Sequence, residues 1–298
     1  MPQLKSISLA DKGQSAIIYG PSQSGKTTLA CGLAKKFKVL YVDGENGTPV
    51  LFTLPQAWQD NIFVQKVLDN KDNANFGLTA IAMASGEKVQ VCDAHGVVMN
   101  YAPAVIKPCA ECKALHAAKM LELKPTTKAE DLARLAAQDL INEWQLKSML
   151  PSEWVIIFDS LTQITSSLNA YITKGLKGDF DFEEFKHWRA QGTLLEKFLD
   201  YIQTAGYNCV VISHEEGIKQ EDGTEKIVPS AGTSNFARKV PRYFNSALYC
   251  TTKNKKHVVY STTTADTRVI AGTRGGITID MASEDTRANS LCELFGKK

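Results

Sequence analysis

Gly20-Pro21-Ser22-Gln23-Ser24-Gly25-Lys26-Thr27 brings two glycines, a lysine and a hydroxyl together at the spacing that suits a chain of phosphates. Gly20 and Gly25 let the backbone fold closely around an anion, with successive N–H groups turned toward its oxygens. A helix starting near Lys26 adds the positive end of its dipole. Lys26 would reach the β- and γ-phosphates and the Thr27 hydroxyl would ligate Mg²⁺. The expected ligand is a nucleoside triphosphate with Mg²⁺, held by Gly20, Pro21, Ser22, Gln23, Ser24, Gly25, Lys26, Thr27 and Thr28.

Three further polar residues end apolar runs, where open α/β sheets gather their ligands. Asp159 follows Trp154-Val155-Ile156-Ile157-Phe158 and is expected to hold Mg²⁺, largely through water. Its alternative is an N-cap of the next helix. Glu45, in Asp43-Gly44-Glu45, could orient the attacking water, or be a surface turn residue. His214, after Cys209-Val210-Val211-Ile212-Ser213, could sense the γ-phosphate, or merely cap a strand end. Lys26, Glu45, Asp159 and His214 form the expected catalytic set.

Cys92 and His95, then Cys109 and Cys112, form C-x₂-H and C-x₂-C pairs separated by thirteen residues. Two-residue spacers let both ligands of a turn point at one ion, so the four residues suit a closed, structural Zn²⁺ site. Gly96 can take the left-handed backbone such a knuckle favours. Reduced core cysteines, a redox pair at Cys109 and Cys112, and His116 in place of His95 are the alternatives.

The elements that must position these residues can be read outward from the glycine loop. Ser15 to Tyr19 reads as a buried strand before it, and Leu29, Ala30, Leu33, Ala34 and Phe37 recur at helical spacing after it. Lys38 to Val42, Trp154 to Phe158 and Asn208 to Ser213 read as further buried strands, with a short one at Asn61 to Val67. Thr127 and Glu130 form a capping box for a helix whose apolar face runs from Leu132 to Trp144. A long helix is expected over Phe182 to Thr204, with Phe185, Trp188, Leu195, Phe198, Leu199 and Ile202 inward. A loop is expected from Glu215 to Arg238, and short β-like runs at 247–251, 257–262 and 268–271.

The implied fold is α/β: a P-loop core with a mostly parallel sheet and a β-rich C-terminal end. Residues 1–84 and 117–298 form the core, and 85–116 an inserted zinc-ribbon-like module. With 298 residues, 44% hydrophobic and 22% charged, the chain needs no staple to fold. Seven cysteines and no signal peptide point to the cytoplasm, and the absence of a long apolar run to no membrane partner. Cys31, Cys209 and Cys250 lie in apolar segments and suit the core. A net charge of +2 neither demands nor excludes nucleic acid.

The order Gly20–Thr27, Asp43-Gly44-Glu45, Asp159-Ser160 and Ser213-His214 resembles the RecA-like ATPases, most of all the short phage-type ones similar to single-strand annealing recombinases. Ala231-Gly232-Thr233-Ser234-Asn235-Phe236-Ala237-Arg238 looks like the element that follows the sensor in that family. The resemblance covers most of residues 14 to 275. It departs at His214, where RecA has glutamine, and in lacking an N-terminal polymerisation helix.

What the resemblance implies is ATP hydrolysis coupled to single-stranded DNA in phage recombination, repair or replication, in the host cytoplasm if phage-encoded. It further implies a homo-oligomer and contacts with phage replication or recombination proteins. Lys174 and Lys177, and Lys219, Lys226, Arg238, Lys239 and Arg242, would then face DNA; Arg268 or Arg274 would act as an arginine finger across a subunit interface. Glu215, Glu216, Glu221, Asp222 and Glu225 dilute the second of these basic groups. A contrasting reading is a nucleotide-switched loader or protein-interaction module that docks through the zinc ribbon. A metabolic kinase is disfavoured by the missing arginine-rich lid and by the D-x-E element.

Overall fold

A computed structural model of the protein describes residues 13–69, 74–92, 96–99, 141–173, 185–221, 223–263, 268–273 and 276–296. The continuous apolar runs form the middle of one sheet. Its strands are β1 (Ser15–Tyr19), β2 (Lys38–Asp43) and β3 (Ile62–Lys66), with two short helices, α1 (Lys26–Cys31) and α2 (Gln56–Gln59), between them. Helix α3 (Phe76–Ala84) leads to a small antiparallel sheet of β4 (Val89–Cys92), β5 (Gly96–Met99) and β6 (Ile141–Trp144). The chain returns through β7 (Trp154–Asp159), helices α4 (Leu161–Thr173) and α5 (Phe185–Thr204), and β8 (Asn208–Ser213). A hairpin of β9 (Glu215–Lys219) and β10 (Glu225–Pro229) follows, then a single helical turn α6 (Ser234–Ala237). Strands β11 (Ser246–Lys253), β12 (Lys256–Tyr260) and β13 (Gly272–Thr273) and helix α7 (Glu284–Leu294) complete it.

The main sheet runs β12-β11-β1-β8-β7-β2-β3, with β13 beside β11. The neighbours from β11 to β3 are parallel; β12 and β13 pair antiparallel with β11. The sheet is therefore α/β and mostly parallel with a β-rich C-terminal end, as its composition of strands implies. Side chains alternate across it. Ile17, Leu40, Val42, Ile156, Phe158 and Val211 enter one layer with α3, α4 and α5. Ile18, Val39, Tyr41, Ile157, Val210 and Ile212 enter the other with α1, α2 and α7. Both faces are covered, which is why these strands read as unbroken apolar runs. Cys31, Cys209, Cys250 and also Cys292 are buried in the reduced state.

Four local expectations are corrected. Residues 141–144 are a strand, not the end of a helix, because Gln65 on β3 accepts hydrogen bonds from Asn142 Nδ2 (3.0 Å) and Trp144 Nε1 (2.7 Å). This tertiary contact overrides the helical spacing of the apolar residues before it. Phe185 and Trp188 do not point inward: they are 81% and 38% exposed, while His187 and Gln191 are buried on the same helix. The expected loop after His214 contains the β9–β10 hairpin. The 268–271 run contributes one bridge, Val269 to Ile227, before β13. No helix among the described residues is long and apolar enough to cross a membrane.

Candidate active site

Strands β1, β8, β7 and β2 are consecutive neighbours, and each expected polar residue leaves one of them at the same end of the sheet. The register is level: Tyr19 stands beside Ser213, Ile212 beside Asp159, and Asp159 beside Asp43. Parallel pairing thus converts four separated segments into one line of functional groups.

The glycine loop joins β1 to α1. Gly20 has φ 150° and Gly25, the residue before α1, has φ 84°. A Cβ on Gly20 would meet the Cys250 carbonyl oxygen at 1.9 Å, so β11 also requires that glycine. Lys26 is buried, and its Nζ donates to the carbonyls of Gly20 (3.0 Å) and Pro21 (2.6 Å). Desolvation lowers its pKa, against the opposing pull of Cys250, Asp159, Glu45 and Glu215.

Asp159 is 3% exposed at the end of β7. Its Oδ2 accepts hydrogen bonds from Thr27 Oγ1 (3.0 Å) and from the Tyr41 hydroxyl (2.5 Å). Burial pushes its carboxyl up to about 6; the Tyr41 hydrogen bond opposes this, the Glu45 charge adds to it, the Thr27 bond opposes it and Asp43 adds to it. Burial and then the neighbouring Asp159 charge hold the Tyr41 phenol far above its ordinary range, so it stays a donor. A buried carboxylate next to a threonine hydroxyl is an all-oxygen donor set, which suits Mg²⁺.

Glu45 sits just beyond β2, with its side chain 28% exposed. Asp43 builds the turn that presents it. That buried carboxylate accepts from the backbone N–H groups of Glu45 (3.1 Å), Gly47 (2.9 Å) and Thr48 (3.2 Å) and from the Thr48 hydroxyl (2.6 Å). Ser160 donates its hydroxyl to Glu45 Oε1, and His214 Nε2 lies 3.4 Å from Glu45 Oε2. Thr162 Oγ1 in turn accepts from the His214 backbone N–H at 3.0 Å. The Asp159–Ser160 peptide bond is cis.

Lys26, Thr27, Asp159, Glu45 and His214 are therefore brought together. Tyr41, Asp43 and Ser160 are roles the sequence reading did not assign. A hydroxyl inside the apolar run of β2 was the available signal for Tyr41.

Other expected residues sit elsewhere. Lys219 and Lys226 are exposed on the hairpin, with Lys219 opposite Glu225. Arg238, Lys239 and Arg242 are exposed nearby in sequence, and Arg238 donates to the Lys219 carbonyl at 3.4 Å. Arg268 is exposed, and its carbonyl accepts from the Ile227 N–H. Lys174, Lys177 and Arg274 lie outside the described residues, as do His95, Cys109, Cys112 and His116. Of the expected zinc ligands Cys92 alone is described, buried at the end of β4 opposite Gly96, whose φ is 77°. Among the described residues, no group of three or more His, Cys, Asp or Glu side chains is placed to hold a metal.

Residues 12–274 match a protein family described as an AAA domain. No curated protein matches the chain. One solved structure that resembles it is a prototypical ATPase of the type III secretion system of pathogenic bacteria, at 15% identity and a TM-score of 0.36. That alignment covers 80% of this chain and 51% of the other, so this chain spans about half of that protein's length.

Proposed function

The chain belongs to the AAA-domain family, and from that premise we propose a RecA-like, Mg²⁺-dependent ATPase whose hydrolysis is coupled to single-stranded DNA. The observation that carries the catalytic part is the Ser160–Glu45–His214 cluster beside Asp159, which accepts from Thr27.

Lys26 exchanges the Gly20 and Pro21 carbonyls for phosphate oxygens when nucleotide binds, which returns a hydrogen-bond partner to each of its protons. Glu45 accepts a hydrogen bond from the attacking water and takes its proton as the new oxygen–phosphorus bond forms and the bond to the β-phosphate oxygen breaks. Ser160 holds one Glu45 oxygen and His214 faces the other, so the carboxylate is oriented before substrate arrives. Thr27 and Asp159 would hold Mg²⁺, whose chemistry is to offset the charge on the β- and γ-phosphate oxygens.

The DNA part rests on connectivity and charge. The β9–β10 hairpin begins at the residue after His214, and the Ser230 N–H closes its base on the His214 carbonyl at 2.8 Å. Lys219, Lys226, Arg238, Lys239 and Arg242 lie exposed along the hairpin and the turns after it, where they would contact phosphates. Cys92, His95, Cys109 and Cys112 hold a structural zinc ion in the insertion, a reading supported by their spacing.

The test is the ATP hydrolysis rate with and without single-stranded DNA at low and moderate salt. Stimulation that fades steeply with salt is expected. Hydrolysis without stimulation, and no salt-sensitive DNA binding, would leave an ATPase that acts as a nucleotide-switched protein-interaction module. Metal analysis of the purified protein tests the zinc site.

A further inference from the structure

Asp43 and Asp159 stand side by side at the ends of β2 and β7, yet their carboxylates are engaged differently. Asp43 takes four hydrogen bonds from residues 45–48 and is committed to that turn. Asp159 takes two, both at Oδ2 and both from side-chain hydroxyls. Among the described residues nothing donates to its Oδ1.

Tyr41 reaches Asp159 because both lie on one face of the sheet. Residues two apart on a strand share a face, so Tyr41 stands with Asp43, and its register partner Ile157 with Asp159. The phenol is fully buried in the layer that holds α1. A phenylalanine would fill the same space. The hydroxyl adds a second hydrogen bond to an oxygen already held by Thr27, so turning the carboxylate breaks two bonds at once.

Gly47 completes the arrangement. Its φ of −73° is open to any residue, so the backbone does not call for glycine there. Space does: a Cβ would stand 2.4 Å from the Tyr41 oxygen and 3.3 Å from Asp159 Oδ2. Asp43 pins the Gly47 N–H at 2.9 Å. The turn that carries Glu45 therefore also leaves the gap that the phenol occupies.

We propose that Tyr41 is a positioning residue for the metal site, fixing Asp159 with Oδ2 engaged and Oδ1 available to the hydration shell of Mg²⁺, and that Gly47 is small to admit its phenol. This rests on the reading of Thr27 and Asp159 as the Mg²⁺ residues. Groups hydrogen-bonded to metal-holding side chains orient them, and their removal costs about 10–100-fold in metal affinity. Tyr41 is fully buried with its hydroxyl on Asp159, so its effect passes through that carboxylate.

The test is calorimetric binding of a non-hydrolysable ATP analogue to the full chain, to Tyr41→Phe and to Gly47→Ala, each in EDTA and in Mg²⁺. The ratio of the two affinities isolates the part that depends on metal. Tyr41→Phe should bind the analogue in EDTA within about twofold of the parent and lower the ratio about tenfold. Gly47→Ala keeps the phenol but displaces it, and should lower the ratio in the same selective way. Parental ratios in both variants would overturn the proposal, as would equal losses in EDTA and in Mg²⁺, the mark of a merely structural role. A parent protein whose affinity does not respond to Mg²⁺ would instead overturn the metal reading of Thr27 and Asp159. Thermal melting accompanies each variant, and Gly47→Ala carries the test should Tyr41→Phe fail to fold.

Discussion

The Tyr41 hydroxyl donates to Asp159 Oδ2 at 2.5 Å, and the same oxygen accepts from Thr27 at 3.0 Å. Gly47 makes room for the phenol: a Cβ there would lie 2.4 Å from its oxygen. Tyr41→Phe keeps the ring and removes the donor. At pH 8 without metal it should destabilise the protein by about 1.5–3 kcal/mol, the range for a hydrogen bond to a charged group. The loss should shrink below pH 6, where Asp159 takes up a proton. Urea denaturation in EDTA at the two pH values measures it; equal losses at both would show that the bond does not act on the charged carboxylate.

The Asp159 carboxyl is raised from 3.8 to about 6 in the folded protein. A raised acid binds its proton more tightly folded than unfolded, so it makes the protein less stable as pH rises from about 4 to 6. Above 6 the full cost stands, on the order of 3 kcal/mol for a shift of about two units. In metal-free buffer, Asp159→Asn should flatten this part of the stability profile and raise stability at pH 7. Parallel slopes for parent and variant between pH 4 and 7 would refute the assignment.

Glu45→Gln keeps the shape and removes the proton acceptor. Steady-state hydrolysis should fall by about 10²-fold or more, while ATP affinity stays near the parental value. Hydrolysis at the parental rate would exclude Glu45 as the water-orienting group. Lys26→Ala should differ in kind, losing nucleotide binding along with turnover.

Gly20→Ala places a methyl 1.9 Å from a backbone oxygen of β11, at a φ that side chains rarely adopt. The obstruction is main chain and cannot rotate away. A loss of about 3 kcal/mol or more in stability is expected, with weakened ATP binding. Ser22→Ala, on the exposed part of the same loop, should leave the melting temperature unchanged. Matching melting curves for Gly20→Ala and the parent would contradict the packing.

Much of the site was legible because it repeats a local rule. A polar residue after an apolar run marks a strand end, and parallel pairing sets such ends side by side. Glu45, Asp159 and His214 were found that way. Residues 141–144 were misread because helical spacing there carries no trace of Gln65, which draws Asn142 and Trp144 into a strand. Phe185 and Trp188 were misread because the buried stripe of α5 passes instead through His187 and Gln191.

The sequence by itself determined the phosphate loop, the buried strands and the polar residues at their ends. Each depends on neighbours a few positions away, through backbone freedom at glycine or the burial of alternate side chains. Only the tertiary structure decided which residues surround them. Tyr41 meets Asp159 across 118 positions, Glu45 meets Ser160 across 115 and Thr27 meets Asp159 across 132. The placement of α7 beside the loop is of the same kind, set by Ala288 against Gly32 and by the Lys35–Asp285 pair. No spacing rule encodes such contacts, because they exist only once the sheet has closed and both of its faces are packed.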